Sequence, residues 1–147
     1  NIADVNRAKR ELERLKRIAK AEGVYDDVRS RDQIALLEVD IVALEMMVLR
    51  VLSAEKSGKQ SLDVAGLLKI RGSEIQQRYS ELMMLAAGPY ALPFIREAME
   101  AGWQGDHVGA AHCAPLASTY FNYRKTTIYG GSNEVQRNVV AQTVLGS

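Results

Sequence analysis

The amino-acid sequence predicts an all-α protein, an antiparallel four-helix bundle with an additional C-terminal helix. Three observations carry this. Apolar residues recur at steps of three and four through long stretches, glycine and proline punctuate the segments between them, and no strand-like alternation competes. At 147 residues the chain reads as one domain over 1–147, long enough to bury about two thirds of the surface it would expose unfolded. Its 19 Lys and Arg against 18 Asp and Glu leave a formal charge of +1, which gives no field to draw nucleic acid or an acidic membrane. A single cysteine, Cys113, excludes an internal disulfide and fits a reducing, cytoplasmic setting, with the thiol read as a small buried group rather than a nucleophile. No apolar run has the length of about 18 residues that a membrane span needs, and no charged-then-apolar leader begins the chain. Because Asn1 already stands in a helical pattern, a piece of a longer polypeptide is expected.

The first helix is expected from Ile2 to about Ala21. Val5, Ala8, Leu12, Leu15 and Ala19 make a narrow seam between charged residues, and interleaved acids with no aromatic argue for a solvated face rather than a basic nucleic-acid arm. Gly23 ends it, and Val24 to Asp32 read as a turn-rich link. A longer second helix, Gln33 to about Glu55, carries Ile34, Leu37, Ile41, Leu44, Val48, Val51 and Leu52 on one stripe. Leu36, Val39, Met46, Met47 and Leu49 are too many further apolar residues for one buried face, so a second face is expected to pack on another chain or domain. Ser61 suits the N-cap of a third helix with Asp63 in its first turn, and Val64, Leu68, Ile75, Tyr79, Leu82 and Ala86 trace its stripe. Short links between these helices make neighbours antiparallel.

Ala87-Gly88-Pro89 stops the third helix, and Tyr90 to Ser118, with Pro93, Gly102, Gly105, Gly109 and Pro115, is the least regular part. Asp106, His107 and His112 lie there, but their spacing matches no common zinc pattern, so they read as polar loop residues and no metal is expected. Tyr120, Phe121 and Tyr123 lead into Thr126-Thr127-Ile128-Tyr129-Gly130-Gly131-Ser132-Asn133-Glu134-Val135-Gln136-Arg137. Its two glycines permit positive φ or a close approach. Ser132 stands as an N-cap ahead of Val135, Val139, Val140 and Val144, in a helix expected from about Asn133 to Val144. The free N–H groups and positive dipole end of such a helix start suit cofactor phosphates, while an ordinary capped turn satisfies the same spacing.

The fifteen consecutive residues from Arg124 to Asn138 resemble the C-terminal signature of the acyl-CoA dehydrogenases, and the helical pattern before them is compatible with that family's C-terminal helical domain. The resemblance implies an FAD enzyme that oxidises an acyl-CoA thioester to its trans-2-enoyl form, with a carboxylate removing the α-proton and the β-hydride passing to the flavin. It further implies an electron-transfer flavoprotein or similar acceptor, and assembly as a homotetramer or heterotetramer. Carried over residue by residue, Ser132 matches a hydroxyl that contacts the flavin, Glu134 a polar position near the adenosine half of FAD, and Gly131 a close backbone approach. Ile128 and Tyr129 would lie towards the acyl thioester. Ala86-Ala87-Gly88 falls where many members carry a glycine-rich turn, with a nearby glutamine, that touches the FAD of a neighbouring subunit. Met83 stands here in that glutamine's place.

Gly130 is the informative departure. Many members carry the catalytic glutamate there, and glycine has no proton acceptor. Other members place the carboxylate on an earlier helix, which would precede Asn1, so no catalytic base is expected within these residues and the isolated segment is not expected to turn over substrate. Two further readings stay open at this stage: a non-catalytic partner subunit of such an enzyme, and a helical interaction module without flavin.

Overall fold

A computed structural model describes residues 4–58 and 62–146. Five α-helices, with no strand among the described residues, follow in order: α1 Val5–Ala21, α2 Val28–Lys56, α3 Leu62–Ala87, α4 Leu116–Tyr123 and α5 Asn133–Leu145. The all-α class expected from periodicity stands.

The starts of α1 and α2 are set by caps that periodicity does not register. Asp4 accepts from the Arg7 N–H at 2.9 Å and Asp27 from the Ser30 N–H at 3.0 Å, each satisfying a donor that the first helical turn leaves free. The Asp27 cap moves the start of α2 to Val28, five residues before the expected Gln33, and shortens the turn-rich link accordingly. Ser61 lies outside the described residues.

Antiparallel pairing of α1 and α2 is visible in their ion pairs. Lys9 meets Glu45 at 2.7 Å and Lys16 meets Glu38 at 3.2 Å, so the sequence runs forward on one helix and backward on the other. Each pair keeps at least one partner well exposed, so each contributes of order 1 kcal/mol or less. They fix register more than stability. The core lies between α1, α2 and α3, where Leu15, Leu37, Ile41, Leu44 and Tyr79 are nearly sealed from solvent. Ile18 joins the α1 seam and Met83 lies in the core.

The third helix is the hub, with every other α-helix packing against it. It therefore buries residues on more than one face, including Ser73, Gln76 and Ser80 beside Ile70, Ile75 and Leu82. This explains why a single apolar stripe under-describes it. On α2 the expected surplus is real. Leu36, Val39, Met46 and Leu49 are exposed, and so is Leu52, which the periodicity had placed on the buried stripe.

Between α3 and α4 the chain makes 3-10 turns at Gly88–Ala91, Glu97–Met99 and Ala111–Cys113. Helix α4 extends back to Leu116, into the stretch read as irregular, because Leu116 and Ala117 dock on the core. Its end is held through Tyr123, whose ring meets Tyr79 edge-on at 6.0 Å and whose hydroxyl accepts from the Arg7 guanidinium at 2.6 Å.

Candidate functional site

The glycine turn between α4 and α5 is clamped at both ends and open in the middle. At its N-terminal end Thr126 is 1% exposed, and its hydroxyl donates to the Tyr123 carbonyl at 2.7 Å. Arg124 lies over the Tyr120 ring at 4.1 Å and donates to the Gln77 carbonyl at 3.1 Å, while the Gln77 amide returns a bond to the Tyr123 carbonyl at 3.1 Å. These exchanges tie the 3-10 turn Arg124–Thr127 to α3.

At the C-terminal end Asn133 is 3% exposed. Its amide donates to Ser73 Oγ at 3.0 Å, and its carbonyl oxygen accepts from Lys69 Nζ at 2.7 Å. Burial lowers the Lys69 pKa, with the Glu134 charge opposing. Replacing Asn133 with Ala leaves the buried Ser73 hydroxyl only its bond to the Ile70 carbonyl and takes the acceptor from a partly desolvated ammonium. A loss of about 1–2 kcal/mol is therefore expected, read as faster hydrogen exchange along α5 in the full chain.

Between the clamps, Gly130 and Gly131 both hold positive φ, +68° and +84°. That reverses the chain without a Cβ penalty. Ile128 and Tyr129 are left 69% and 47% exposed, an orientation that apolar side chains adopt at a cost unless something covers them.

Ser132 caps α5 as expected, its hydroxyl accepting from the Val135 N–H at 3.3 Å. Ser132→Ala should cost about 1 kcal/mol, measurable as a lowered melting temperature of the full chain. Glu134 is fully exposed in the first turn. Its carboxyl is held below the usual range first by its own backbone N–H, then by the Ser132 hydroxyl, with Arg137 and Lys69 adding attraction.

The apolar stripe of α5 does not bury as the spacing implied. Val135, Val139 and Val144 are exposed, and Val140 is only partly covered. The helix is seated instead by Asn133 and by a close approach at Gly66 of α3, where an added Cβ would lie 3.0 Å from both Gln136 Oε1 and Val140 Cγ2. Arg137 extends the contact to Glu74 at 3.1 Å, and Glu74 with Asp40 flanks Arg71.

A second feature was missed in the sequence. A cavity of about 310 Å³ opens between the end of α1, the first turns of α2 and the end of α3, lined by Leu15, Ala19, Val24, Arg29, Ser30, Gln33, Ile34, Leu82, Leu85 and Ala86. Gln33 Oε1 is buried there with no partner among the described residues. Arg29 and Ser30 follow Asp27 in the helix start. With the start of α2 placed at Gln33, these residues belonged to a link, and only the Asp27 cap brings them onto a helix beside Ala86. Asn133, next to Ser132, bonds Lys69 and Ser73 in the N-terminal half of α3, whereas the cavity meets α3 at Leu82, Leu85 and Ala86, so the two features are separate in this chain.

In the loop, His107 stacks edge-on with Trp103 at a centroid distance of 4.9 Å, whereas His112 bonds Glu22, the C-cap of α1. No helix of the described residues is long and apolar enough to cross a membrane.

The family model described as acyl-CoA dehydrogenase, C-terminal domain, matches residues 2–145, and the chain belongs to that family. A curated relative, the acyl-CoA dehydrogenase IpdE1 of Mycolicibacterium smegmatis, is 27% identical over 137 residues, covering 93% of this chain and 30% of its own length. The solved structure titled Tcur3481-Tcur3483 steroid ACAD superposes with a TM-score of 0.74 at 20% identity, over 99% of this chain and 36% of that one, which is a likeness of fold. The chain thus spans about a third of the length of the proteins it matches.

Proposed function

We propose that the chain is the C-terminal FAD-binding and oligomerisation domain of a longer acyl-CoA dehydrogenase, which oxidises an acyl-CoA thioester to the trans-2-enoyl-CoA. The observation that carries this is the clamped turn. Buried Thr126 and Asn133 hold rigid a segment whose middle, Ile128 to Gly131, contributes little to its own core and projects exposed apolar side chains beside a helix N-terminus. Rigid support for an open, glycine-hinged loop is what a ligand-presenting segment needs.

Bound FAD would supply the hydride-accepting chemistry, and the residues here fit it in two places. Gly131 and Ser132 offer the cofactor a bare backbone and a hydroxyl at the α5 start. Glu134, kept anionic, suits the hydroxyls of the adenosine half better than its phosphates. The cavity at the α2 start, with Arg29 and the orphan Gln33 Oε1, suits a polar portion of the cofactor held by a neighbouring subunit, next to Ala86-Ala87-Gly88. Ile128 and Tyr129 would cover the acyl thioester and exclude water from it. The exposed apolar face of α2 around Leu36, Val39, Met46 and Leu49 would pack in the tetramer.

Gly130 supplies no base, so in this reading the α-proton is taken by a carboxylate from outside this chain, and electrons leave to an electron-transfer flavoprotein or a similar acceptor. The same glycine favours a second reading, a non-catalytic partner subunit of a hetero-oligomeric enzyme. The intact polypeptide, expressed alone and with candidate partner subunits, separates them. Retained FAD with acyl-CoA-dependent dye reduction by the polypeptide alone supports the first. FAD binding and turnover only with a partner supports the second. A polypeptide that takes up no FAD under any of these conditions overturns both.

A further inference from the structure

Glu22 and the pair His112-Cys113 are far apart in the sequence and meet in the fold. Glu22 closes the C-terminal end of α1, and His112-Cys113 forms the 3-10 turn just before α4. His112 Nε2 lies 2.6 Å from Glu22 Oε1, the Cys113 thiol points at the same oxygen from 3.8 Å, and the three donor atoms all lie within 4.8 Å of one another. Cys113 is fully buried, and the side chains of Glu22 and His112 keep only 18% and 26% of their exposure.

Glu22 is an odd choice for this position. A carboxylate at the C-terminal end of a helix faces the negative end of the macrodipole, which favours a cation there instead. Among the described residues no Lys or Arg reaches it, and His112 is the one basic side chain that does.

We propose that Glu22, His112 and Cys113 bind a divalent cation of the zinc type, through one carboxylate oxygen, one imidazole nitrogen and one thiolate. The donor set is the mixed O, N and S set that zinc accepts, and three protein donors leave one tetrahedral position for water on the partly open side of His112. With Zn–S near 2.3 Å and Zn–N and Zn–O near 2.0 Å, the donors would end roughly 3.3–3.5 Å apart. That requires a shift of well under an ångström at the Glu22 oxygen and closure of His112 Nε2 toward the Cys113 sulfur, now within 4.8 Å, by about an ångström, a movement within the reach of imidazole and thiol rotation. Burial and the Glu22 carboxylate keep the thiol protonated, so the incoming cation itself displaces the proton. The ion would staple the long irregular connection after α3 to the end of α1, immediately before the core-docked start of α4.

The test uses the full chain, stripped with a chelator and titrated with Co(II) alone as the probe and then with Zn(II). The expected result is one tight equivalent of cobalt, with thiolate-to-cobalt charge transfer in the near ultraviolet and tetrahedral d–d bands, both bleached by zinc. Cys113→Ser should abolish the charge-transfer band. His112→Gln and Glu22→Gln should each weaken zinc binding by at least about tenfold, since losing a ligand costs no less than losing a group that only orients one. Zinc should also raise the melting temperature of the stripped wild type. A natively folded wild type that gives no charge-transfer band overturns the proposal and leaves a plain Glu22–His112 hydrogen bond. So does a band that survives in Cys113→Ser. Should Cys113→Ser fail to fold, the wild-type band together with the His112→Gln affinity decides.

Discussion

Gly66→Leu is expected to unseat α5 from the hub helix and, under the proposed function, to strip FAD from the intact polypeptide. Even a Cβ at this position would press on Gln136 Oε1 and Val140 Cγ2 at 3.0 Å, with the Gln136 carbonyl at 3.7 Å behind them. The Gln136 side chain can swing away, but its backbone can yield only if the helix moves. A leucine adds three more carbons in the same direction, and overpacking of this kind costs about 3 kcal/mol, at the upper end of its range because α5 has few other anchors. The control is Gly66→Ala. There a gain of about 1 kcal/mol in helix propensity opposes a small clash, so near-neutral behaviour is expected. The measurements are flavin per subunit after gel filtration and hydrogen exchange along α5. Full flavin retention in Gly66→Leu with α5 still protected would show that the Gly66 approach does not seat the helix.

Gly131→Val is expected to lose flavin more completely than it loses fold. At φ +84° a β-branched residue is strained by about 2–3 kcal/mol, and its Cβ would lie 2.3 Å from Gln136 Nε2, the mobile end of a side chain that can turn aside. Fold loss is therefore bounded, whereas under the proposed function the added side chain would stand where the cofactor approaches, which no such movement relieves. Gly130→Ala separates strain from obstruction. Gly130 has comparable φ and open space around its missing Cβ, so that substitution carries only the backbone cost of about 1–2 kcal/mol. If Gly131→Val and Gly130→Ala lower flavin content equally at equal change in melting temperature, Gly131 serves the turn and not the cofactor.

The two substitutions probe a division of labour within the signature segment. Arg124, Thr126 and Asn133 face inward and hold the turn to α3, while Ile128, Tyr129, Gly130 and Gly131 face outward. A single run of residues thus carries both scaffold and presented surface. A substitution at Thr126 or Asn133 that removes activity would act through the position of the turn, so activity alone cannot assign a role to any residue here.

The sequence by itself determined the helical class, the three long helices, the glycine turn and the Ser132 cap. Each rests on information within a few residues: a repeat of three and four, a residue without a Cβ, a hydroxyl placed before an N–H three positions on. It also determined the surplus of apolar residues on α2, because the count exceeds what one face can bury. The tertiary structure alone decided the rest. Helix α3 buries polar residues on several faces because it is surrounded, and periodicity describes only a helix with one wet side. Helix α5 leaves most of its valines in solvent and is seated by Asn133 and Gly66, whose roles exist only once α3 lies beside it. Glu22 meets His112 and Cys113 across 90 residues of chain, and Arg29, Ser30 and Gln33 meet Ala86 across more than 50, contacts that no local pattern encodes. What depends on neighbours along the chain was legible; what depends on neighbours in space had to wait for the fold.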